Sequence, residues 1–257
     1  MYEDELAFAH ELADLAGEIG LSFFGGSFEV RLKPDRSPVT EADLAIEAAI
    51  RDAVRERFPD DGVLGEEAGL QGRGRRRWIV DPIDGTKNFA DGVQIWSNLI
   101  ALAVDDEPVV GVVNFPALGE RYAAATGAGA WLNGEAIQVS RADRVPRAFL
   151  VFAGMEDWLE GPFAAPVQTL VAEARRNRGF GDAWGHCLVA RGAADIMIEL
   201  ELATWDFAAL QVILGEAGGR MSQFDGSPLV HGGTVLSTNG LLHEEVVARL
   251  RPATSGS

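Results

Sequence analysis

The sequence holds a single cysteine, far fewer bases than acids, and no apolar run long enough to cross a bilayer. With Cys187 alone, neither an intrachain disulfide nor a cysteine-based zinc centre can form, and a reducing, cytoplasmic setting is expected. The 22 Lys and Arg residues stand against 39 Asp and Glu, a formal net charge of -17. A surface of that sign repels phosphate backbones, so no nucleic-acid partner is expected. A small anionic substrate is still allowed, because bound metal ions invert the field locally. The first residues, MYEDELAFAHELADLAGEIG, lack the basic flank of a signal peptide, and no membrane association is expected. There are no repeats and no long linker.

What is present is a globular pattern over 257 residues, 47% of them hydrophobic, ample for a buried core. Leu12, Ala16, Ile19 and Phe23 recur at helical spacing and predict a helix over residues 4–24, stopped by Gly25 and Gly26. Residues 28–39, with Lys33, Pro34 and Pro38, read as strand or loop. Thr40 caps a second helix with Asp43 three residues on; Ile46, Ile50, Ala53 and Val54 line its apolar face. RWIV is a strand ending at Asp81. SNLIALAV and VVGVVNF read as a hairpin. RYAAA and EAIQV extend the sheet on either side of the glycine-rich TGAGAWLNG. From about residue 146 helices and strands alternate. The expected fold class is α/β, in layers of α+β structure with sheets packed by helices. The expected division is an N-terminal α+β half over 1–145 and a C-terminal α/β half over 146–251. A disordered tail is expected over 252–257.

The chemistry concentrates in WIVDPIDGTKNF. Asp81 ends an apolar strand, Pro82 keeps the chain extended, and Asp84 follows three residues later. A tight turn would aim both carboxylates at one point. Gly85 permits close backbone approach, and the N–H groups of Gly85 and Thr86 open a helix, which suits a phosphate. Hard oxygen ligands beside an anion site match Mg²⁺ held by carboxylates and substrate phosphate. Asp-Pro and Asp-Gly are also ordinary turn dipeptides, so the segment alone reads equally as a turn. Upstream, Glu66 and Glu67 follow Gly65; adjacent glutamates are commonly a solvated pair. Asp206 stands in the first turn of an apolar helix, where a capping carboxylate is also at home.

Taken together, GEE, WIVDPIDGTKNF and WDFAAL…GEAGG resemble the inositol monophosphatase family of Mg²⁺-dependent phosphatases, in order and spacing over nearly the whole chain. The resemblance implies an αβαβα sandwich, a homodimer, and hydrolysis of small phosphate monoesters with two or three Mg²⁺ per site. By position it implies Glu66, Asp81, Asp84 and Asp206 as metal carboxylates, with the carbonyl oxygen of Ile83 as a further ligand. Glu67 would stand just behind them. Asp43 and Thr86 would orient and deprotonate the attacking water. Gly85, Thr86 and Lys87 would contact the phosphate, although Lys87 reads equally as a solvated lysine.

The segment from Arg175 to Glu199 is similar to the histidinol-phosphate phosphatase branch of this family. An ammonium-bearing substrate needs anionic partners, which makes Asp182 and Glu199 the candidates, although Glu199 also reads as one of several interchangeable acids at an exposed strand end. Arg178 would hold Asp182 or reach the phosphate, and a plain ion pair ordering a loop is the alternative. Inositol phosphate is the second substrate class and a nucleotide 3′-phosphate the third. A regulatory protein that binds transcription machinery is a reading of another kind. His10 and His243 are expected on helix surfaces, His231 in a turn, His186 as a satisfied core or rim residue, and Cys187 as buried and inert. Trp184 would wall the pocket or pack in a dimer interface. Arg73 to Arg77 are expected to form a solvated or disordered loop, with an RNA contact as the weaker alternative.

Overall fold

The computed structural model describes residues 2–26, 30–32 and 38–251. The proposed tail and most of the expected strand or loop at 28–39 lie outside them. In chain order the elements are α1 (Glu3–Phe23), β1 (Val30–Leu32), β2 (Pro38–Thr40), α2 (Glu41–Arg57), β3 (Gly62–Gly65), β4 (Gly69–Gln71), β5 (Arg76–Asp84), α3 (Thr86–Ala90), β6 (Ser97–Val104), β7 (Glu107–Phe115), β8 (Glu120–Ala125), β9 (Gly129–Leu132) and β10 (Glu135–Ala136). They continue with β11 (Phe149–Phe152), α4 (Ala164–Glu173), β12 (Arg176–Gly179), α5 (Asp182–Ala190), β13 (Ile196–Leu202), α6 (Thr204–Glu216), β14 (Arg220–Ser222), β15 (Gly233–Thr238) and α7 (His243–Leu250). Among the described residues no helix is long and apolar enough to cross a membrane.

The chain forms two compact units. The first runs up to Ala136 and takes in Thr204–Glu216; the second is Ile137–Ala203 with the chain from Ala217 onward. The units therefore do not follow the linear halves. Helix α6, and Asp206 with it, is an element of the first unit although it lies late in the sequence.

The first unit is built on an eight-stranded sheet in the order β10-β9-β8-β7-β6-β5-β3-β4. Only β3 and β5 pair in parallel; the other neighbours are antiparallel. Strand alternation sends successive side chains to opposite faces. Trp78, Leu102 and Val110 share one row and pack with Leu12 of α1 and Ile46 and Ile50 of α2. Ile79, Ala101 and Gly111 share the next row, on the other face. A Cβ on Gly111 would stand 2.3 Å from the Ala209 carbonyl oxygen, so α6 lies in backbone contact with this face. Asp81, two residues beyond Ile79, points to the α6 face.

The second unit has a five-stranded sheet, β12-β11-β13-β15-β14, with β11 parallel to both neighbours and the remaining pairs antiparallel. Ile196 and Ile198 pack with Leu170 of α4 and Val246 and Leu250 of α7. The intervening Met197 faces α5, where a Cβ on Gly185 would reach its sulfur at 2.7 Å. Ser237 pairs with Met197 across the sheet, and Glu199 lies two residues along, so both belong to the α5 face.

Candidate active site

Residues three apart in a regular strand face opposite ways. Asp81 and Asp84 escape this because β5 carries an extra residue: Asp81 pairs with Leu99 but Asp84 with Ser97, three steps on one strand against two on the other. Pro82, without an N–H, occupies the bulge. The turn is held at each point. The Asp81 Oδ1 accepts the Ile83 N–H at 3.0 Å, Asn98 donates to the Pro82 carbonyl at 2.6 Å, and the Ser97 hydroxyl donates to Asp84 at 3.1 Å. The Asp-Pro-Ile-Asp segment is thus a bulge that turns two carboxylates toward one side.

Asp81 is 2% exposed. Burial pushes its carboxyl well above the usual range, and the charges of Glu66, Asp84, Asp206 and Asp43 push the same way. The other three carboxylates expected to hold metal, and the expected water-activating aspartate, thus all act on Asp81. They come from four parts of the chain: Glu66 after β3, Asp81 and Asp84 from β5, Asp206 from α6, Asp43 from α2.

Asp43 is the acid of a capping box. Its Oδ2 accepts the Thr40 N–H at 2.7 Å and the Thr40 hydroxyl at 2.5 Å, while the Thr40 Oγ1 accepts the N–H groups of Ala42 and Asp43. Its Oδ1 is buried with no hydrogen-bond partner. Burial raises its pKa to about 6, against the lowering pull of the Thr40 hydrogen bonds. The Thr86 hydroxyl donates to the Ile83 carbonyl at 2.9 Å rather than to Asp43. Gly85 takes the left-handed conformation, φ 77°, that starts the short α3, and Lys87 is exposed.

Among the described residues no three His, Cys, Asp or Glu side chains stand close enough to enclose an ion as they are placed. In kind, the donor set fits a hard dication. It is all oxygen, its most buried member is surrounded by like charges, and one further carboxylate oxygen is buried without a partner. Carboxylates gathered in this way are stable as anions only beside a cation.

Sequence reasoning missed two residues that position this cluster. Glu47, one helical turn after Asp43, is 2% exposed. It accepts the Glu67 N–H at 2.8 Å and the Ala68 N–H at 2.9 Å. Arg51 pairs with it at 2.7 Å and donates to the carbonyls of Val63 (3.1 Å) and Gly69 (2.6 Å). The β3–β4 turn that carries Glu66 and Glu67 is thereby clamped to α2. A Cβ on Gly65 would lie 2.4 Å from the clamped Glu47 carboxylate, so glycine is needed at the first position of GEE. The available signal was an E-x-x-x-R pair beside Ile46 and Ile50, on the buried side of the helix.

In the second unit, Glu199 and His186 are both buried. The His186 ring bridges Glu199 (Nε2 to Oε2, 3.1 Å) and Ser237 (Nδ1 to Oγ, 2.7 Å). The Asp182 N–H reaches the Glu199 Oε1 at 3.4 Å, and Asp182 sits at φ 55°, in the left-handed region. Arg178 is exposed and donates to the Asn177 carbonyl at 2.7 Å. Trp184 stacks edge-on against Phe180, and Cys187 is buried. His243 is not on a helix surface. It is buried between the Ser222 and Thr238 hydroxyls, because α7 packs its first turn on the sheet. Nor is the arginine run simply solvated: Arg75 pairs with Asp105, Arg76 with Glu5 and Asp61, and Arg77 with Asp106. An acid-rich chain supplies a carboxylate for each of these three.

The chain matches the model of the inositol monophosphatase family over residues 1–255. It is 43% identical to a histidinol-phosphatase of Mycobacterium tuberculosis, over 97% of this chain and 99% of that one. It is 40% identical to a histidinol-phosphatase of Streptomyces coelicolor, with 97% of each covered. Among solved structures it superposes on an inositol monophosphatase of Thermotoga maritima with a TM-score of 0.88, at 32% identity and 96% coverage of both chains.

Proposed function

The chain belongs to the inositol monophosphatase family and is a phosphatase with that family's layered α/β fold, and on that premise we propose that it hydrolyses L-histidinol phosphate to L-histidinol and phosphate. The observation that carries the catalytic part is Asp81, buried, with Glu66, Asp84, Asp206 and Asp43 acting on it. The substrate part is supported by the two histidinol-phosphatase relatives and by a buried carboxylate, Glu199, in the second unit.

Glu66, Asp81, Asp84, Asp206 and the Ile83 carbonyl, which keeps a lone pair beyond the one Thr86 uses, would hold the metal. Two or three Mg²⁺ would supply charge neutralisation of the phosphate dianion, polarisation of the attacking water and stabilisation of the leaving oxygen. Asp43 offers its unpartnered Oδ1 to the proton that the attacking water loses, with Thr86 orienting that water. Glu67, held through its own N–H by Glu47, supports the ligand set from behind. The Gly85 and Thr86 N–H groups and Lys87 contact the phosphate. Glu199 and Asp182 receive the substrate's ammonium group, and Arg178 flanks them. A cytoplasmic homodimer completes the reading.

Inositol phosphate is the second reading, favoured by the superposition on the Thermotoga maritima enzyme. The two are separated by kcat/KM with Mg²⁺ on L-histidinol phosphate and on myo-inositol 1-phosphate. An advantage above about a hundredfold for histidinol phosphate, roughly 2.7 kcal/mol in the transition state, is expected. Preference for inositol phosphate refutes the substrate assignment.

A further inference from the structure

Glu199 is fixed by helix α5 at both oxygens, by the Asp182 N–H at the start of that helix and by the His186 ring one turn later. The far side of the ring ends on Ser237, from the neighbouring strand β15. A hydroxyl donates or accepts equally well. If Glu199 is a carboxylate, the ring donates Nε2–H to it and accepts the Ser237 O–H at Nδ1. If Glu199 carries a proton, it donates to Nε2 and the ring donates Nδ1–H to the Ser237 oxygen. Both hydrogen bonds survive either way, with the ring neutral throughout. Only the tautomer changes.

We propose that Ser237, His186 and Glu199 form a proton-adjustable acceptor for an ammonium group, with His186 as the positioning residue. Docking of the ammonium ionises Glu199, one proton leaves to solvent, and the ring changes tautomer so that the carboxylate stays fixed. This rests on the reading that Glu199 meets the substrate's amine. The surroundings agree with it. Burial, with the charges of Asp182 on α5 and Asp157 in the turn Met155–Trp158 acting the same way, raises Glu199 to about 8; the Asp182 N–H pulls the other way. Burial lowers His186 to about 3, against the raising pull of Asp182. Glu201, the next acid on β13, is exposed. With no cation docked, both members are therefore neutral at pH 7. A fixed carboxylate would also bind an amine, but it would be a buried, uncompensated charge whenever no substrate is present. A neutral acid that ionises only beside a cation is also stable in the absence of substrate.

The first test is calorimetric titration of L-histidinol into the Mg²⁺-loaded protein at pH 7, in two buffers of different ionisation enthalpy. Wild type is expected to release about one proton more than Glu199→Gln. Equal proton counts overturn the proposal. The second test is the ratio of kcat/KM on L-histidinol phosphate to that on myo-inositol 1-phosphate. In His186→Met this ratio should fall at least tenfold, through KM, with Ser237→Ala falling in the same direction by less. An unchanged ratio in Ser237→Ala and in folded His186→Met overturns the role of the ring. If Glu199→Gln itself leaves the ratio unchanged, it is the assignment of Glu199 to the amine that fails instead.

Discussion

Replacing Glu47 with glutamine tests whether the metal cluster depends on a residue that touches no substrate. Both Glu47 oxygens serve only as acceptors: Oε2 for the Glu67 N–H, Oε1 for the Ala68 N–H and the Arg51 guanidinium. A glutamine amide must turn its NH₂ toward one of these donors. The milder orientation orphans the Glu67 N–H; the other orphans the Ala68 N–H and faces Arg51. A buried donor left unpaired costs about 1–3 kcal/mol. Arg51, 7% exposed, also loses its anionic partner, although it keeps the Val63 and Gly69 carbonyls. Breaking a buried ion pair costs about 3–5 kcal/mol when nothing replaces it. With one oxygen retained, a destabilisation of about 3 kcal/mol is expected, or roughly 6–12 °C in Tm for a chain of this size. The freed turn carries Glu66, so the Mg²⁺ concentration for half-maximal phosphate release should rise about 10–100-fold, as when support behind a ligand is removed. Denaturant unfolding and a Mg²⁺ titration read the two effects separately. Stability within about 0.5 kcal/mol of wild type, with unchanged half-saturation, would refute the clamp.

Asp84→Asn should abolish Mg²⁺-dependent phosphate release while the unfolding midpoint stays near wild type; an active variant with unaltered Mg²⁺ dependence sinks the ligand assignment. Gly111→Ala places a methyl 2.3 Å from the Ala209 carbonyl, where backbone must move. It should destabilise by about 1–3 kcal/mol and weaken Mg²⁺ activation by displacing Asp206, and wild-type Mg²⁺ activation in a folded variant would show that α6 is not held there. Glu199 has a folded pKa of about 8 against an ordinary 4.5. Between these values the folded state holds the extra proton, so this group's contribution to stability falls as pH rises from about 4.5 to 8. Denaturation of wild type and Glu199→Gln across that window should show the variant with the shallower decline, and parallel curves would contradict the buried, protonated acid.

Much of the site was legible because its signals are local. The Thr40–Asp43 capping box needs only four residues of sequence, and it forms as read. The helical spacing of Ile46, Ile50 and Val54 likewise places α2 against the core. What was hidden is non-local. Glu47 and Arg51 look like an ordinary i,i+4 surface pair until the β3–β4 turn is laid over them. Strands β3, β4, β9, β12 and β14 have three or four residues each, several rich in glycine or arginine, too short for alternation to declare itself. His243 reads as exposed because its helix is amphipathic, yet the two hydroxyls that bury it come from β14 and β15. Membership of α6 in the first unit depends on Gly111, ninety-odd residues earlier, leaving room for its backbone.

The same device positions both acids that carry the proposed chemistry. In β5 one extra residue lies between Asp81 and Asp84; in β13 one lies between Glu199 and Leu202, since Glu199 pairs with Val235 and Leu202 with Gly233. Regular pairing would continue the ladder past each acid and send neighbouring side chains to alternate faces. A bulge stops the ladder one step after the acid and bends the strand. In β5 the cause is Pro82, which cannot donate to β6. In β13 it is Glu201, a non-glycine residue at φ 59°. That conformation costs on the order of 1 kcal/mol, and it persists because Glu199 on one side and Leu202 on the other are both buried in the packed sheet. A bulge is a relation between two strands, so no reading of one segment could have displayed it. Replacing Glu201 with glycine should relieve the strain and stabilise the second unit without moving Glu199, whereas proline there, with its φ fixed near -65°, should straighten the bulge and disturb Glu199 with it.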